Sequence, residues 1–191
     1  MRILGIDPGL RSTGWGVIAI DNGRLRHLAN GAIRPRPDLA DADRLTSIYN
    51  GLTSVIADWQ PDRAAIEEIF VAKSAGSALR LGMARGVGIV ACGIAGIAVT
   101  EIAARAVKKA VVGTGTASKH QVQDMIQRLL MVRAQNADAA DALAIAIAAS
   151  NEAGKLAAIG VRSAQAMPND PLAKAISLAL ARDNAKNGGS K

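Results

Sequence analysis

The sequence predicts an α/β domain built on a five-stranded mixed sheet flanked by helices, with elements in the order βββαβαβααα. Three observations carry that reading. Short apolar runs bounded by turn signals fill the first 33 residues. Helical periodicity replaces them from Asp43 onward. Further short apolar runs then alternate with helical stretches up to Ser150. An opening antiparallel meander followed by crossovers gives a sheet with both antiparallel and parallel pairs.

Arg2–Asp7 is an apolar run that stops at the turn signal Asp7-Pro8-Gly9. Gly14–Ile20 reads as a second strand, Asp21-Asn22-Gly23 as a hairpin turn and Arg24–Ile33 as a third strand. Pro35 and Pro37 end that pattern. Leu45, Ile48, Tyr49, Leu52, Val55, Ile56 and Trp59 then fall at helical spacing, with Asp41 or Asp43 as N-cap and Pro61-Asp62 as the stop. Arg63–Ile69 reads as a buried strand ending in acids. A helix of small residues covers Gly76–Cys92, and its Gly82 and Gly86, four apart, share a face that another helix can approach closely. Ile97–Ile102 is the fifth strand. Helices follow over 103–110 and 118–131, separated by Gly113-Thr114-Gly115-Thr116, and Asn136 caps a last core helix over Ala137–Ser150. The domain thus spans 1–151. Residues 152–191 read as a basic, Ala/Gly/Asn-rich and partly disordered tail, in which Asp170-Pro171 can open a short helix over 171–182.

Composition narrows the function. Half of the 191 residues are hydrophobic, which excludes a wholly disordered chain. The net charge is +7 and the sequence pI about 10.1. Residues 1–150 carry 17 basic and 13 acidic groups, and 151–191 carry 6 and 3, so the tail alone does not make the chain basic. A polyanion such as nucleic acid is the natural partner. Trp15, Tyr49, Trp59 and Phe70 are the only aromatics, too few for an extended base-stacking platform, so phosphates would carry the binding. Cys92 stands alone and His27 and His120 are far apart, which excludes a disulfide framework and argues against cysteine or histidine metal sites. The longest uncharged run, Gly86–Thr100, is 15 residues long and includes five glycine or threonine residues. A spanning helix needs about 20, so the run reads as a buried helix leading into a strand. Asp7 sits where a signal peptide needs its apolar stretch. The expectation is a cytoplasmic protein with no membrane partner.

Four acids occupy suggestive positions. Asp7 closes the first strand, Glu67 lies near the end of the fourth, and Asp138 and Asp141 are three apart on one face of the last helix. Each has an ordinary reading as well: a turn residue, a surface acid, or a complement to a helix dipole. If all four converge, their repulsion is severe. A pair about 4 Å apart costs on the order of 4 kcal/mol at an effective dielectric near 20. Protonation or a cation must then relieve it, and all-oxygen donors favour Mg²⁺ or Mn²⁺.

A set of motifs in fixed order settles which reading to follow. They are Ile3-Leu4-Gly5-Ile6-Asp7-Pro8-Gly9, Thr13-Gly14-Trp15-Gly16-Val17, Ala65-Ile66-Glu67-Glu68-Ile69-Phe70 and Ser77-Ala78-Leu79-Arg80-Leu81-Gly82. Ala84-Arg85-Gly86, Val107-Lys108-Lys109-Ala110-Val111, Gly113-Thr114-Gly115 with Lys119, Gln121-Val122-Gln123 and Ala137-Asp138-Ala139-Ala140-Asp141-Ala142-Leu143-Ala144 follow. Over residues 2–150 the chain resembles the RuvC family of Holliday-junction endonucleases, within the RNase H-like superfamily.

The resemblance implies an RNase H-like fold and paired, metal-dependent nicking of four-way DNA junctions on strands of like polarity. It implies 5′-phosphate and 3′-hydroxyl ends, and a role in homologous recombination and repair. The family's catalytic and metal-binding carboxylates fall on Asp7, Glu67, Asp138 and Asp141. Two Mg²⁺ ions per site are implied, Mn²⁺ being a plausible substitute, with Asp7 bridging both. Strand alternation sends Glu67 and Glu68 to opposite faces, so only one joins the cluster. Phe70 matches the family's junction-inserting aromatic, and Lys108 and Lys119 its DNA-contacting lysines. Implied partners are four-way junction DNA, a second copy of the chain in a homodimer, with the Gly82/Gly86 face at or near the contact, and the RuvA–RuvB branch-migration complex. Ile102 and Ala104 depart from the family pattern, which has an aromatic and a proline there. Two alternatives stay open: an RNase H-like nuclease acting on structured RNA, and an actin/hexokinase-like ATP-binding protein, suggested by Gly5-Ile6-Asp7-Pro8-Gly9.

Overall fold

Side-chain alternation along the strands decides which layer each residue meets. The computed structural model describes residues 1–68 and 74–158, with side chains as far as 151. Phe70, Ile69, the expected helix over 171–182 and most of the tail lie outside the described residues. The elements are β1 (Arg2–Asp7), β2 (Thr13–Asp21), β3 (Arg24–Ile33), α1 (Asp41–Trp59), β4 (Arg63–Glu68), α2 (Ala75–Ile94), β5 (Val99–Ala103), α3 (Ala104–Val112), α4 (Lys119–Leu130) and α5 (Ala137–Ala158). The sheet order is β3-β2-β1-β4-β5. β1–β2 and β2–β3 pair antiparallel, and β1–β4 and β4–β5 pair parallel. The expected mixed sheet and element order are therefore found. The β2–β3 turn takes its shape from Asn22 and Gly23, both at positive φ (51° and 77°), a conformation that Asn-Gly tolerates well.

One face of the sheet packs on α1 and α2. Leu4, Ile6, Val17, Ala64 and Ile66 join Ile48, Leu52, Ala91 and Cys92 there. The other face contributes Ile3, Ile18, Ala65 and Ile102 to a core with α3, α4 and α5, including Val107, Ile126, Leu143, Ile145 and Ile147. Ile102, one of the two departures noted in the sequence, is 3% exposed and serves as core in place of an aromatic.

α5 lies unusually close to β1 and β2. An ideal Cβ built on Gly5 would sit 2.0 Å from the Ala142 carbonyl oxygen, and one on Gly14 would sit 2.1 Å from that of Asp138. Only glycine admits a helix backbone at that distance. α5 answers with alanines at 139, 140, 142, 144, 146 and 148, all buried.

Several boundaries differ from expectation, each for a local reason. Neither Asp41 nor Asp43 caps α1. Ala40 is the N-cap, without a side-chain bond, and both acids lie in the first turn facing the positive end of the helix dipole. The Arg44 N–H donates to the Ala40 carbonyl, which sets the earlier start. Asn136 does cap α5, accepting the Ala139 N–H at 2.9 Å. α5 then runs past Ser150 to Ala158, because Asn151–Ala158 contains mostly helix-compatible residues and Gly154 alone weakens it. α2 extends to Ile94. It is the one helix among the described residues long and apolar enough to cross a membrane by length and composition, a test that the 15-residue uncharged run did not meet. Its Ala84, Gly88, Ala91 and Cys92 are buried against α1 and the sheet, whereas Leu79, Val90 and Ile94 are exposed.

Candidate active site

Strand parity and pairing bring the first two acids together. In the parallel ladder Ile6 stands opposite Ile66, so Asp7 and Glu67 are the next neighbours along β1 and β4. Ile3, Gly5 and Asp7 alternate onto the α5 face, and so do Ala65 and Glu67. Glu68 alternates away and is exposed. The close seat of α5 on Gly5 and Gly14 then lowers Asp138 and Asp141 toward the same strand ends.

Asp7, Glu67 and Asp141 line one cleft of about 240 Å³ together with Lys108 and Lys119. Ala104, Val107, Val122, Ala144 and Ile145 supply its apolar wall. Ala104, the second departure from the family pattern, thus opens α3 at the edge of the cleft. Lys119 is the first residue of α4, behind a capping box formed by Ser118 and Gln121. Its Nζ donates to Asp141 Oδ2 at 2.5 Å. Asp138 does not line the cleft. Its Oδ2 accepts the Ser12 hydroxyl at 2.6 Å and lies 3.8 Å from the Arg34 guanidinium. A larger groove of about 420 Å³ runs between α4 and the loop to α5, but Asp124 is its only carboxylate.

Electrostatics mark the smaller cleft as the strained one. Burial first, then the charges of Asp141, Glu67 and Asp138, push the Asp7 carboxyl up to about 7, against the pull of Lys119. Glu67 is also raised, by burial and then Asp141, with Lys108 and Lys119 opposing. Lys119 is raised, chiefly by its hydrogen bond to Asp141. Charge repulsion of this kind at a cleft is what a cation relieves. The donor set is all oxygen, which fits a hard divalent ion by chemistry. Among the described residues no three His, Cys, Asp or Glu side chains stand in a ready-made ion-binding arrangement. Two of the acids are already engaged, Asp141 by Lys119 and Asp138 by Ser12.

Ser12 and Arg34 belong to none of the motifs in the sequence. A signal for both existed in the hairpin register. Thr13 pairs with Ile33, so residues 12 and 34 emerge side by side at the end of the ladder that also holds Gly14 against Asp138.

Comparison with known proteins places the chain among named relatives. Residues 3–149 match the family model described as crossover junction endodeoxyribonuclease RuvC. A protein of that name from Paramagnetospirillum magneticum is 53% identical over 156 residues, covering 81% of this chain and 93% of its own. One from Caulobacter vibrioides is 50% identical over 151 residues, covering 78% and 89%. A solved structure of T. thermophilus RuvC in complex with a Holliday junction substrate superposes with a TM-score of 0.77 at 30% identity, covering 84% of this chain and 97% of that one.

Proposed function

Because the chain belongs to the RuvC family of crossover junction endodeoxyribonucleases, we propose that it resolves four-way DNA junctions by paired nicks on strands of like polarity. The products carry 5′-phosphate and 3′-hydroxyl ends, and the setting is homologous recombination and repair. The observation that carries this reading is the cleft itself: Asp7, Glu67 and Asp141 face one another beside Lys108 and Lys119, and the charge of Asp138 reaches Asp7.

In this reading Asp7, Glu67, Asp138 and Asp141 hold two Mg²⁺ ions, for which Mn²⁺ can substitute. Bound there, such ions supply an attacking water of lowered pKa and stabilise charge at the leaving 3′-oxygen. The chain's own residues do the rest. Asp7 sits among the other three acids, so its carboxylate gains most from positive charge in the cleft. Lys119 keeps a full positive charge through its bond to Asp141, and so neutralises a phosphate oxygen entering the cleft. Lys108, on the α3 side, gives the backbone a second cationic contact. The apolar wall limits water around the scissile phosphate, which strengthens these interactions. Phe70 is assigned to junction insertion on its motif.

A four-way junction has near two-fold symmetry, and a two-fold homodimer meets it with two identical sites. The open face of α2 supports that assembly. Leu79, Val90 and Ile94 are 67%, 53% and 71% exposed, and a Cβ on Gly82 or Gly86 would meet nothing within 4 Å. The RuvA–RuvB complex is the partner we assign by family, and the cytoplasm the compartment.

The test is Mg²⁺-dependent nicking of a synthetic four-way junction. The parent should cut paired strands, and Asp7→Asn should bind the junction yet fail to cut. Normal cutting by Asp7→Asn, or preference for structured RNA over the DNA junction, would overturn the reading.

A further inference from the structure

We propose that Ser12 is a positioning residue for Asp138. Its hydroxyl fixes one carboxylate oxygen, so that the carboxylate is held in one orientation at the ion site. The inference rests on the reading of Asp138 as an ion ligand.

The Ser12 hydroxyl donates to Asp138 Oδ2 at 2.6 Å, across 126 residues of sequence. That length is in the range of charge-assisted O–H···O⁻ bonds, which are about twice as strong as neutral ones. Oδ1 of the same carboxylate has no hydrogen bond among the described side chains. One oxygen is therefore committed to the protein and the other is not. Arg34, 3.8 Å away and largely exposed, adds charge without fixing direction.

What raises this above a chance contact is how firmly Ser12 itself is held. Thr13, fully buried, donates its hydroxyl to the Gly9 carbonyl at 2.8 Å and accepts the Gly9 N–H at 3.4 Å. The loop turns back so tightly that a Cβ on Gly9 would sit 2.5 Å from the Ser12 carbonyl oxygen. From outside, an Arg44 guanidinium nitrogen donates to the Leu10 carbonyl at 3.0 Å. The Arg44 side chain is only 13% exposed, and its Nε is buried without a partner. Burying a guanidinium with an unmatched donor is unfavourable. The Arg44 guanidinium ties the chain between Asp7 and Thr13, the segment that carries the Ser12 hydroxyl, to α1, where it also pairs with Asp41 at 3.5 Å. Groups that orient an ion ligand in this way typically change ion affinity about 10–100-fold when removed.

The experiment is a titration of the free, full-length protein with Mn²⁺ alone, reading unbound Mn²⁺ by electron paramagnetic resonance. Ser12→Ala and Ser12→Val should each weaken binding about 10-fold or more. Ser12→Thr, matched in bulk to valine but keeping the hydroxyl, should restore it. In parallel, the Mn²⁺ needed for half-maximal junction cutting should rise in the alanine and valine variants. Their junction binding in EDTA should stay at the parent value. Parent-like Mn²⁺ affinity in both hydroxyl-free variants overturns the proposal. So does an equal loss in Ser12→Thr, which would mark the position as merely crowded. Asp138→Asn separates the two levels. If it weakens Mn²⁺ binding and the Ser12 variants do not, only the positioning role fails; if it too binds like the parent, the ligand assignment of Asp138 fails and the proposal with it.

Discussion

Replacing Asp7 by asparagine should stabilise the ion-free protein, and the gain should depend on pH in a defined direction. The Asp7 carboxyl titrates at about 7 in the folded chain, against an ordinary 3.8. The folded state therefore holds this proton more tightly than the unfolded chain does. Stability is unpenalised below the unfolded value and declines as pH rises toward the folded one. A separation of about three pKa units corresponds to about 4 kcal/mol at full ionisation, an upper bound because neighbouring acids adjust. Most of it develops late: between about pH 5 and about pH 8 the penalty grows by about 2–3 kcal/mol. Asparagine keeps the shape and carries no charge. Urea denaturation in EDTA should show Asp7→Asn more stable than the parent, with the difference growing by that amount over the same pH interval. Saturating Mg²⁺ should shrink or reverse the difference, since the ion stabilises the state that binds it and the parent binds it better. A gain that is absent, or equal at both pH values, would refute the claim that repulsion and burial strain this site.

Three further outcomes follow from other parts of the structure. Gly14→Ala drives a methyl group toward the Asp138 carbonyl, 2.1 Å from the ideal Cβ. It should lift α5, cost about 1–3 kcal/mol in urea denaturation, and reduce junction cutting more than junction binding. Asn30 is 5% exposed, accepts the Gln135 N–H at 2.9 Å and meets His27 Nε2 at 2.8 Å. Burial lowers His27, which keeps the imidazole neutral and able to accept the amide, so Asn30→Ala should cost about 1–3 kcal/mol by the same measurement. Val90→Asp, on the exposed face of α2, should leave monomer stability within about 0.5 kcal/mol and, in sedimentation, convert the proposed dimer to monomer.

The parts of this molecule that were legible in the sequence are those written in a local period. The short runs Arg2–Asp7 and Arg24–Ile33, bounded by turn signals, and the three-four spacing from Leu45 to Trp59 gave the elements directly. Alternation also separates Glu67 from Glu68 without any structure. The two misjudged ends of α1 and α5 have one cause, because a helix boundary is set by competing weak signals. At Ala40 a backbone bond outweighed two capable aspartates, and beyond Ser150 the absence of a strong breaker let the helix continue. What pattern cannot supply is the meeting of distant segments. The β1–β4 register that aligns Asp7 with Glu67 joins strands separated by two strands and a helix. The Ser12–Asp138 bond joins a loop to a helix from the other end of the domain. Those contacts depend on how far α5 sinks onto the sheet, a distance recorded only indirectly, in glycines at 5 and 14 facing alanines along 139–148.

That distance is also why the charge strain cannot be relaxed away. Were α5 loosely packed, its two acids would simply move away from Asp7 and Glu67 on the strands. Here α5 carries Leu143, Ile145 and Ile147, which are at most 2% exposed, and burying side chains of this kind is worth roughly 1.5–3 kcal/mol each. Lifting α5 far enough to separate Asp138 and Asp141 from Asp7 would expose part of that surface and open a void above Gly5 and Gly14. The loss is comparable to or larger than the roughly 4 kcal/mol of strain at Asp7, so the helix stays down and the repulsion remains. Relief must then come from a proton, from the Lys119 ammonium, or from a divalent ion, and only the last neutralises several carboxylates at once. The apolar packing that folds the domain is thus the same force that keeps the cleft in need of cations.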